Sequence, residues 1–246
     1  MIKFTAPNPL VENHILTILP PPESDRLLPY LEPVSFRLKE VLFTTGEPIQ
    51  YVYFLKSGLV SLLSMMADGR TVEVGSVGSE GVVGLSALMG SGPSCNQAIV
   101  QVSGSAVRIK AGLLKEEFKR GGVLQDLLLG CAQDLYAQAS QTAACNGLHT
   151  VEKRLARWLL LVRDHSPSDR LEVTQELLAQ MLGVGRSTVT LTAIELQRAR
   201  LIEYSRGKIR ILDRTGLEEV SCECYRAVRK LYQRDVTVEL FQAAFG

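Results

Sequence analysis

The chain has 246 residues, 46% of them hydrophobic and 22% charged, the composition of a globular protein with material for one or two domains. Its net charge of +1 hides an asymmetry: residues 149–214 carry 12 Lys and Arg against 8 Asp and Glu, whereas residues 1–148 carry 11 against 13. No apolar run approaches a membrane span, no signal-like segment opens the chain, and five scattered cysteines (Cys95, Cys131, Cys145, Cys222, Cys224) read as reduced thiols, so a cytoplasmic protein without a membrane partner is expected.

In chain order, residues 8–31 read as a helical lead-in interrupted by Pro20-Pro21-Pro22, with a second helix from about Ser24 to Leu31. From Pro33 to Ile109 the texture changes to short β-runs: Val34–Leu38, Val41–Phe43, Tyr51–Leu55, Leu59–Met65, Thr71–Val77, Ala98–Val102 and Ala106–Ile109. Gly46, Gly58, Asp68-Gly69, Gly78 and Gly104 punctuate them at the spacing of a β-sandwich or barrel. Residues 122–147 then predict one long helix. On it Leu124, Leu128, Cys131, Leu135, Gln138, Thr142 and Cys145 recur at alternating spacings of 4 and 3, the heptad seam of a coiled coil. Asn146-Gly147 is expected to break that helix and serve as a hinge. A further helix runs from His149 to about Asp164, with Lys153, Arg154 and Arg157 on its polar face.

The stretch from Thr174 to Gln197 carries the strongest signal. Thr174 is a good N-cap and Glu176 suits the positive end of a helix dipole, while Leu178, Met181 and Leu182 make one apolar face. Gly183 is placed to end that helix in the left-handed conformation. Gly185 can cap a second helix, with Val189, Ala193 and Leu196 inward, and two short helices about a glycine turn are a helix-turn-helix. Arg186, Ser187, Thr188, Thr190 and Leu191 then fall where a recognition helix meets the major groove. Arginine can donate twice to a guanine, hydroxyls serve bases or phosphates, and Leu191 and Ile194 suit thymine methyls. Leu201 to Leu212 reads as two strands about Arg206-Gly207, a wing carrying Arg206, Lys208 and Arg210.

Leu178-Ala-Gln-Met-Leu-Gly-Val-x-Arg-x-x-Val189, followed by Leu201-Ile-x-x-x-x-Gly-x-Ile-x-Ile-Leu-Asp213, resembles the C-terminal pattern of the CRP/FNR transcription regulators. The likeness extends to Gly46-Glu47 and to Lys56-Ser57-Gly58 with Val60-Ser61-Leu62. It implies an α+β fold: an N-terminal double-stranded β-roll of jelly-roll type (residues 1–121), a long dimerisation helix and hinge (122–147), and a C-terminal winged helix-turn-helix (148–246). It also implies a homodimer on double-stranded, pseudo-palindromic DNA, with no enzymatic activity and with RNA polymerase as a further candidate partner. The DNA-binding residues expected on this basis are Arg186, Ser187, Thr188, Thr190, Leu191, Thr174, Arg206 and Lys208; the dimer seam is Leu124, Leu128, Cys131, Leu135, Gln138 and Thr142. A module that binds a protein partner and keeps a vestigial DNA-binding domain is the alternative.

The effector cassette departs from the cyclic-nucleotide binders. Their pattern is Gly-Glu at a short helix and Arg-Ser or Arg-Thr on the next strand; here these positions hold Gly84-Leu85 and Asn96-Gln97. Without the arginine a buried phosphate charge stays unpaired, so cyclic AMP or cyclic GMP in the usual mode is not expected. Two readings of the roll remain: a different small-molecule effector among Gly84, Leu85, Ser86, Asn96 and Gln97, or a scaffold without ligand. No cofactor is expected. No cysteine precedes Cys95, which excludes an N-terminal iron–sulfur cluster of the FNR type, and haem would have only Cys131, Cys145 or His149 to use. Cys222 and Cys224, two apart on a terminal helix that Asp213 caps and that reaches toward Phe245, read as structural. With no His or third Cys nearby, no metal is expected.

Overall fold

The computed structural model describes residues 13–90 and 92–232. The lead-in is two short helices, α1 (His14–Ile18) and α2 (Pro21–Leu27), and a 3-10 turn, Leu28–Tyr30; residues 8–12 lie outside the described residues. The second helix starts at Pro21 instead of Ser24, because proline in a first turn forfeits no helical hydrogen bond. Asn13 caps α1 with its side-chain oxygen, while its amide nitrogen reaches the carbonyls of Leu55, Ser79 and Gly81, so this buried polar residue is fully engaged.

The roll follows as β1 (Glu32–Phe36), β2 (Val41–Phe43), β3 (Tyr51–Leu55), β4 (Leu59–Met65), β5 (Thr71–Val77), β6 (Val82–Val83), α3 (Ser86–Met89), β7 (Gln97–Val102) and β8 (Gly104–Lys110). Two antiparallel sheets, ordered β1-β8-β3-β6 and β2-β7-β4-β5, enclose Phe36, Tyr53, Leu55, Val60, Val77, Val83, Ala98, Val100 and Ala106. All seven expected strands are present. The first is drawn two residues toward the N-terminus by its pairing with β8, Glu32 against Arg108 through Phe36 against Gly104.

After α4 (Ala111–Lys119) comes α5 (Val123–Leu148), 26 residues long. Glu23 of α2 accepts from the backbone N–H groups of Val123 and Leu124 at 3.2 and 2.8 Å, placing a carboxylate on the positive end of this helix. Asn146 and Gly147 do not break it. The helix passes through both and ends at His149, and Thr150 caps the next helix by accepting from Lys153 N.

The expected dimer seam is also corrected. Leu124, Leu128 and Cys131 are buried against α1, α4 and the roll of their own chain, with Leu135 packed at the margin. Gln138 and Thr142 are buried as well. Gln138 accepts from Ser76 N and donates to Tyr232 Oη at 2.7 Å. Apolar residues occur on both faces of α5, so a heptad counted on one face was answered by the core.

The C-terminal part comprises α6 (Val151–Asp164), β9 (Arg170–Glu172), α7 (Gln175–Leu182), α8 (Arg186–Arg198), β10 (Ile202–Ser205), β11 (Lys208–Ile211), α9 (Arg214–Val220) and α10 (Cys224–Tyr232). The single terminal helix expected after Asp213 is therefore two. Asp213 does cap α9, accepting from Gly216 N at 3.0 Å, but the chain leaves helical geometry at Ser221, and residues 233–245 lie outside the described residues.

The two halves share packing: Leu59 and Leu63 of β4 belong to the same apolar cluster as Trp158, Leu159, Leu178 and Met181. Arg154 and Arg157 do not form a solvated face. Both are buried; Arg154 donates to the Leu182 carbonyl, which ties α6 to the end of α7.

Candidate nucleic-acid interface and effector cavity

Thr174 starts α7 by accepting from Leu177 N at 3.2 Å, and Leu177, Leu178, Met181 and Leu182 are buried. At Gly183 the backbone turns left-handed (φ +61°), a conformation costly for residues bearing a Cβ, and its N–H returns to the carbonyls of Ala179 and Gln180. The axis then bends by 105° into α8, within the range of helix-turn-helix pairs. Among the described residues no single helix is long and apolar enough to cross a membrane.

Val189, Thr192, Ala193 and Leu196 hold α8 to the core. Arg186, Ser187, Thr188, Leu191 and Ile194 are exposed, Leu191 at 65%, and Thr190 is half-buried. The outward face of α8 therefore presents an arginine, hydroxyls and an apolar side chain together, the mix of groups that can read base edges. Thr190 Oγ1 donates to the Arg186 carbonyl at 3.0 Å, so toward a ligand this hydroxyl offers lone pairs only. Thr174 Oγ1 already accepts from the backbone and keeps its O–H free for a phosphate oxygen. Arg186 Nε donates to Gln175 Oε1 at 3.4 Å, a contact that engages one of its five N–H groups.

The wing is β10 and β11, with β9 on the outer side of β11. Arg206 and Gly207 turn the hairpin with φ of +49° and +77°, the paired positive angles of a tight two-residue loop. Arg206, Lys208 and Arg210 are exposed, with Lys208 3.8 Å from Glu172. An open groove lined by Thr174, Gln175, Arg186, Tyr204, Ser205 and Arg206 separates helix from wing. A basic edge beside a hydroxyl-rich helix suits a phosphate backbone flanking a major groove.

In the roll, Gly84, Leu85, Ser86 and Asn96 line one cavity of about 220 Å³, closed on the far side by Ala132, Leu135, Tyr136 and Ala139 of α5. Gln97, half-buried at the start of β7 and paired with Leu63, does not line it. Ser94 joins the wall, and among the described residues none that lines the cavity carries a charge. Asn96 Nδ2 is directed at the Leu63 carbonyl at 3.4 Å, so it is partly committed to the fold.

Sequence reasoning missed the polar contacts between the halves. Glu73 of β5 is buried and accepts from Ser61 Oγ and from Trp158 Nε1 of α6, at 2.5 and 3.1 Å. Burial raises its pKa against the opposing effect of Ser61, Trp158 and Arg157. His165 has Nε2 3.4 Å from Glu80 Oε2 and Nδ1 3.0 Å from the Leu161 carbonyl. Burial disfavours its charged form, but Glu80 outweighs that and raises its pKa. Nothing in the spacing of Glu73, Glu80, Trp158 and His165 reports that two domains meet there.

The reading of Cys222 and Cys224 as an isolated pair is corrected too. Cys222 lies in the link before α10, not on a continuous helix, and Cys145 and His149 at the end of α5 pack against both.

A roll, a long connecting helix and a winged helix-turn-helix with its recognition face exposed define a DNA-binding regulator. Residues 33–120 match the cyclic nucleotide-binding domain model and residues 153–220 the Crp-like helix-turn-helix domain model. The chain is 28% identical over 198 residues to transcriptional regulator SdrP of Thermus thermophilus, covering 77% of this chain and 94% of that protein. Its fold is similar to a CRP/FNR-family regulator from Eubacterium rectale, with TM-score 0.71 and 19% identity over 84% of this chain and 97% of that one. A CRP/FNR-family transcriptional regulator from Thermus thermophilus gives TM-score 0.63 and 25% identity, covering 77% and 98%. The chain belongs to the CRP/FNR family of transcription regulators.

Proposed function

We propose that this regulator acts in the cytoplasm as a homodimer on a pseudo-palindromic DNA site, and that cyclic AMP and cyclic GMP do not gate it in the usual mode. The observation that carries the DNA reading is the outward face of α8 beside the basic wing. Arg186, Ser187, Thr190 and Leu191 are assigned to bases; Thr174, Thr188, Arg206 and Lys208 are assigned to the backbone. Two such helices would enter successive major grooves about 34 Å apart. The proposed dimer contact is the outward stripe of α5. Leu129, Ala132, Tyr136, Ala139 and Ala143 recur at spacings of 3 and 4; Leu129 and Tyr136 are 46% and 76% exposed. RNA polymerase is a proposed further partner. The effector proposed for the roll is a small, largely apolar, uncharged molecule that hydrogen-bonds to Ser86 or Ser94, because a phosphate in that cavity would meet no cation among the described residues.

Selection from a random duplex pool with ligand-free protein tests the reading. A two-fold symmetric motif with half-sites one helical turn apart is the expected result; recovery of a single half-site overturns the homodimer. Affinity for the selected site should fall steeply with salt as counterions are released, and salt-independent binding would favour a protein-binding module instead. Arg186→Ala should cost about 1–3 kcal/mol and relax selection at one position, whereas a uniform loss would reassign Arg186 to phosphate.

A further inference from the structure

Four side chains able to ligate a metal converge where α5 ends. Cys145 lies in the last turn of α5, His149 is the residue on which that helix stops, Cys222 sits in the link after α9, and Cys224 opens α10. Their three sulfurs and one imidazole nitrogen all lie within 4.8 Å of one another. Cys145 Sγ is 3.5 Å from Cys222 Sγ, and Cys224 Sγ is 3.5 Å from His149 Nδ1. All three cysteines are buried, in a small cluster separate from the apolar cores.

This spacing is that of donors around one ion. With Zn–S near 2.3 Å and Zn–N near 2.0 Å, a tetrahedral site sets its sulfurs about 3.8 Å apart and sulfur from nitrogen about 3.5 Å. A cage of iron and inorganic sulfide needs wider separation. A Cys145–Cys222 disulfide would use two of the four groups and leave the convergence of Cys224 and His149 without a reason.

The surroundings are those of a supported ligand set. His149 Nε2 faces Glu223 Oε1 at 3.3 Å; a proton held there leaves the Nδ1 lone pair directed at the thiols. Gln141 Nε2 donates to Cys224 Sγ at 3.0 Å, a contact that favours thiolate. Buried Arg157 acts electrostatically on both Cys145 and Cys222, and buried Arg154 is coupled to the same two. The Nε atoms of both arginines lack a hydrogen-bond partner among the described residues. Arg157 also acts electrostatically on buried Glu73. Three thiolates, a neutral imidazole and a divalent cation carry a net charge of −1, a counter-charge for these two cations that neutral thiols do not offer.

We propose that Cys145, His149, Cys222 and Cys224 form a closed tetrahedral site for a thiophilic divalent cation of the zinc class, pinning α10 to the junction of α5 and α6. Each thiol releases its proton to solvent on binding, so affinity rises with pH. The cation then closes a loop of the chain from Cys145 to Cys224, around the whole winged helix-turn-helix.

The test is metal analysis of the full-length chain, followed by Co²⁺ titration of the demetallated protein. One tightly held Zn²⁺ per chain is expected, with intense thiolate-to-cobalt charge transfer and the strong visible bands of a tetrahedral ion. Cys224→Ser should lose the stoichiometric metal, and Glu223→Gln, which keeps every ligand, should weaken affinity about 10- to 100-fold. Should Cys224→Ser fail to fold, the wild-type cobalt spectrum still decides. A folded wild-type chain that gives no charge-transfer band with Co²⁺ overturns the site. So does an affinity unchanged in Glu223→Gln and Cys224→Ser together, or a Cys145–Cys222 disulfide in protein purified without oxidant.

Discussion

The inward and outward faces of α5 both carry apolar residues on a 3-and-4 repeat, yet they do different work. The inward face, Leu124, Leu128 and Cys131 passing into Gln138, Thr142 and Cys145, is consumed by the chain's own roll and C-terminal helix. The outward face, Leu129, Ala132, Tyr136, Ala139 and Ala143, is left to solvent or borders the cavity against the roll. Periodicity establishes that a helix has a buried face; it does not say what buries it.

That contrast can be broken experimentally, and the largest effect is expected on the inward face. Leu128→Ala should cost about 2–5 kcal/mol of unfolding free energy in denaturant titration, since the fully buried site cannot collapse around the missing atoms. Tyr136→Asp on the outward face should leave the chain folded by circular dichroism and turn the dimer into monomer by sedimentation. A monomeric wild type, or a Tyr136→Asp chain as unstable as Leu128→Ala, would erase the distinction.

Next in size is the polar part of the inward face. Gln138→Ala leaves Ser76 N without its side-chain acceptor and removes one of the partners of Tyr232 Oη, which keeps Ser76, and should cost about 1–3 kcal/mol. A loss equal to that of Leu128→Ala would mean that the two ends of the helix are held alike.

A smaller, pH-dependent effect is expected at His165 and Glu80, where the halves meet. The folded-state pKa of His165 is raised above 6.5, because Glu80 outweighs the desolvation that opposes the charge. Its contribution to stability is therefore complete below the unfolded value and is lost as pH rises through the folded one. Melting curves taken from about pH 6 upward should show the loss in wild type and not in His165→Gln. A parallel loss in the variant would assign the effect to another group.

The smallest expected change in stability is at the recognition surface. Leu191→Ala should shift unfolding by no more than about 0.5 kcal/mol, because its side chain is exposed, while still weakening binding to the selected DNA. Unchanged DNA affinity would place Leu191 outside the interface.

Much of this molecule is local. The strands of the roll, the αL glycine at residue 183, the N-caps Thr174 and Asp213, the wing turn at Arg206-Gly207 and the outward Leu191 all follow from neighbours within one turn or one hairpin. Each is governed by backbone sterics, capping or alternation, so a single chain written in order displays it. Four of the five expected pocket residues share one cavity for a related reason: α3 and the approach to β7 flank it directly.

What tertiary structure alone decided involves partners far apart in the chain. Arg154 and Arg157 look like surface residues until α6 docks on the roll, and Glu73 looks like an ordinary strand carboxylate until Trp158 reaches it. The heptad seam points outward or inward according to what packs against α5. Cys145 and His149 join Cys222 and Cys224 only because the chain folds back across more than seventy residues and breaks its helix at Ser221. By itself the sequence determined the elements and the class of surface each carries, because those depend on short-range conformational preference. Which surfaces meet depends on long-range packing and on the desolvation of charge, and neither leaves a mark in local spacing.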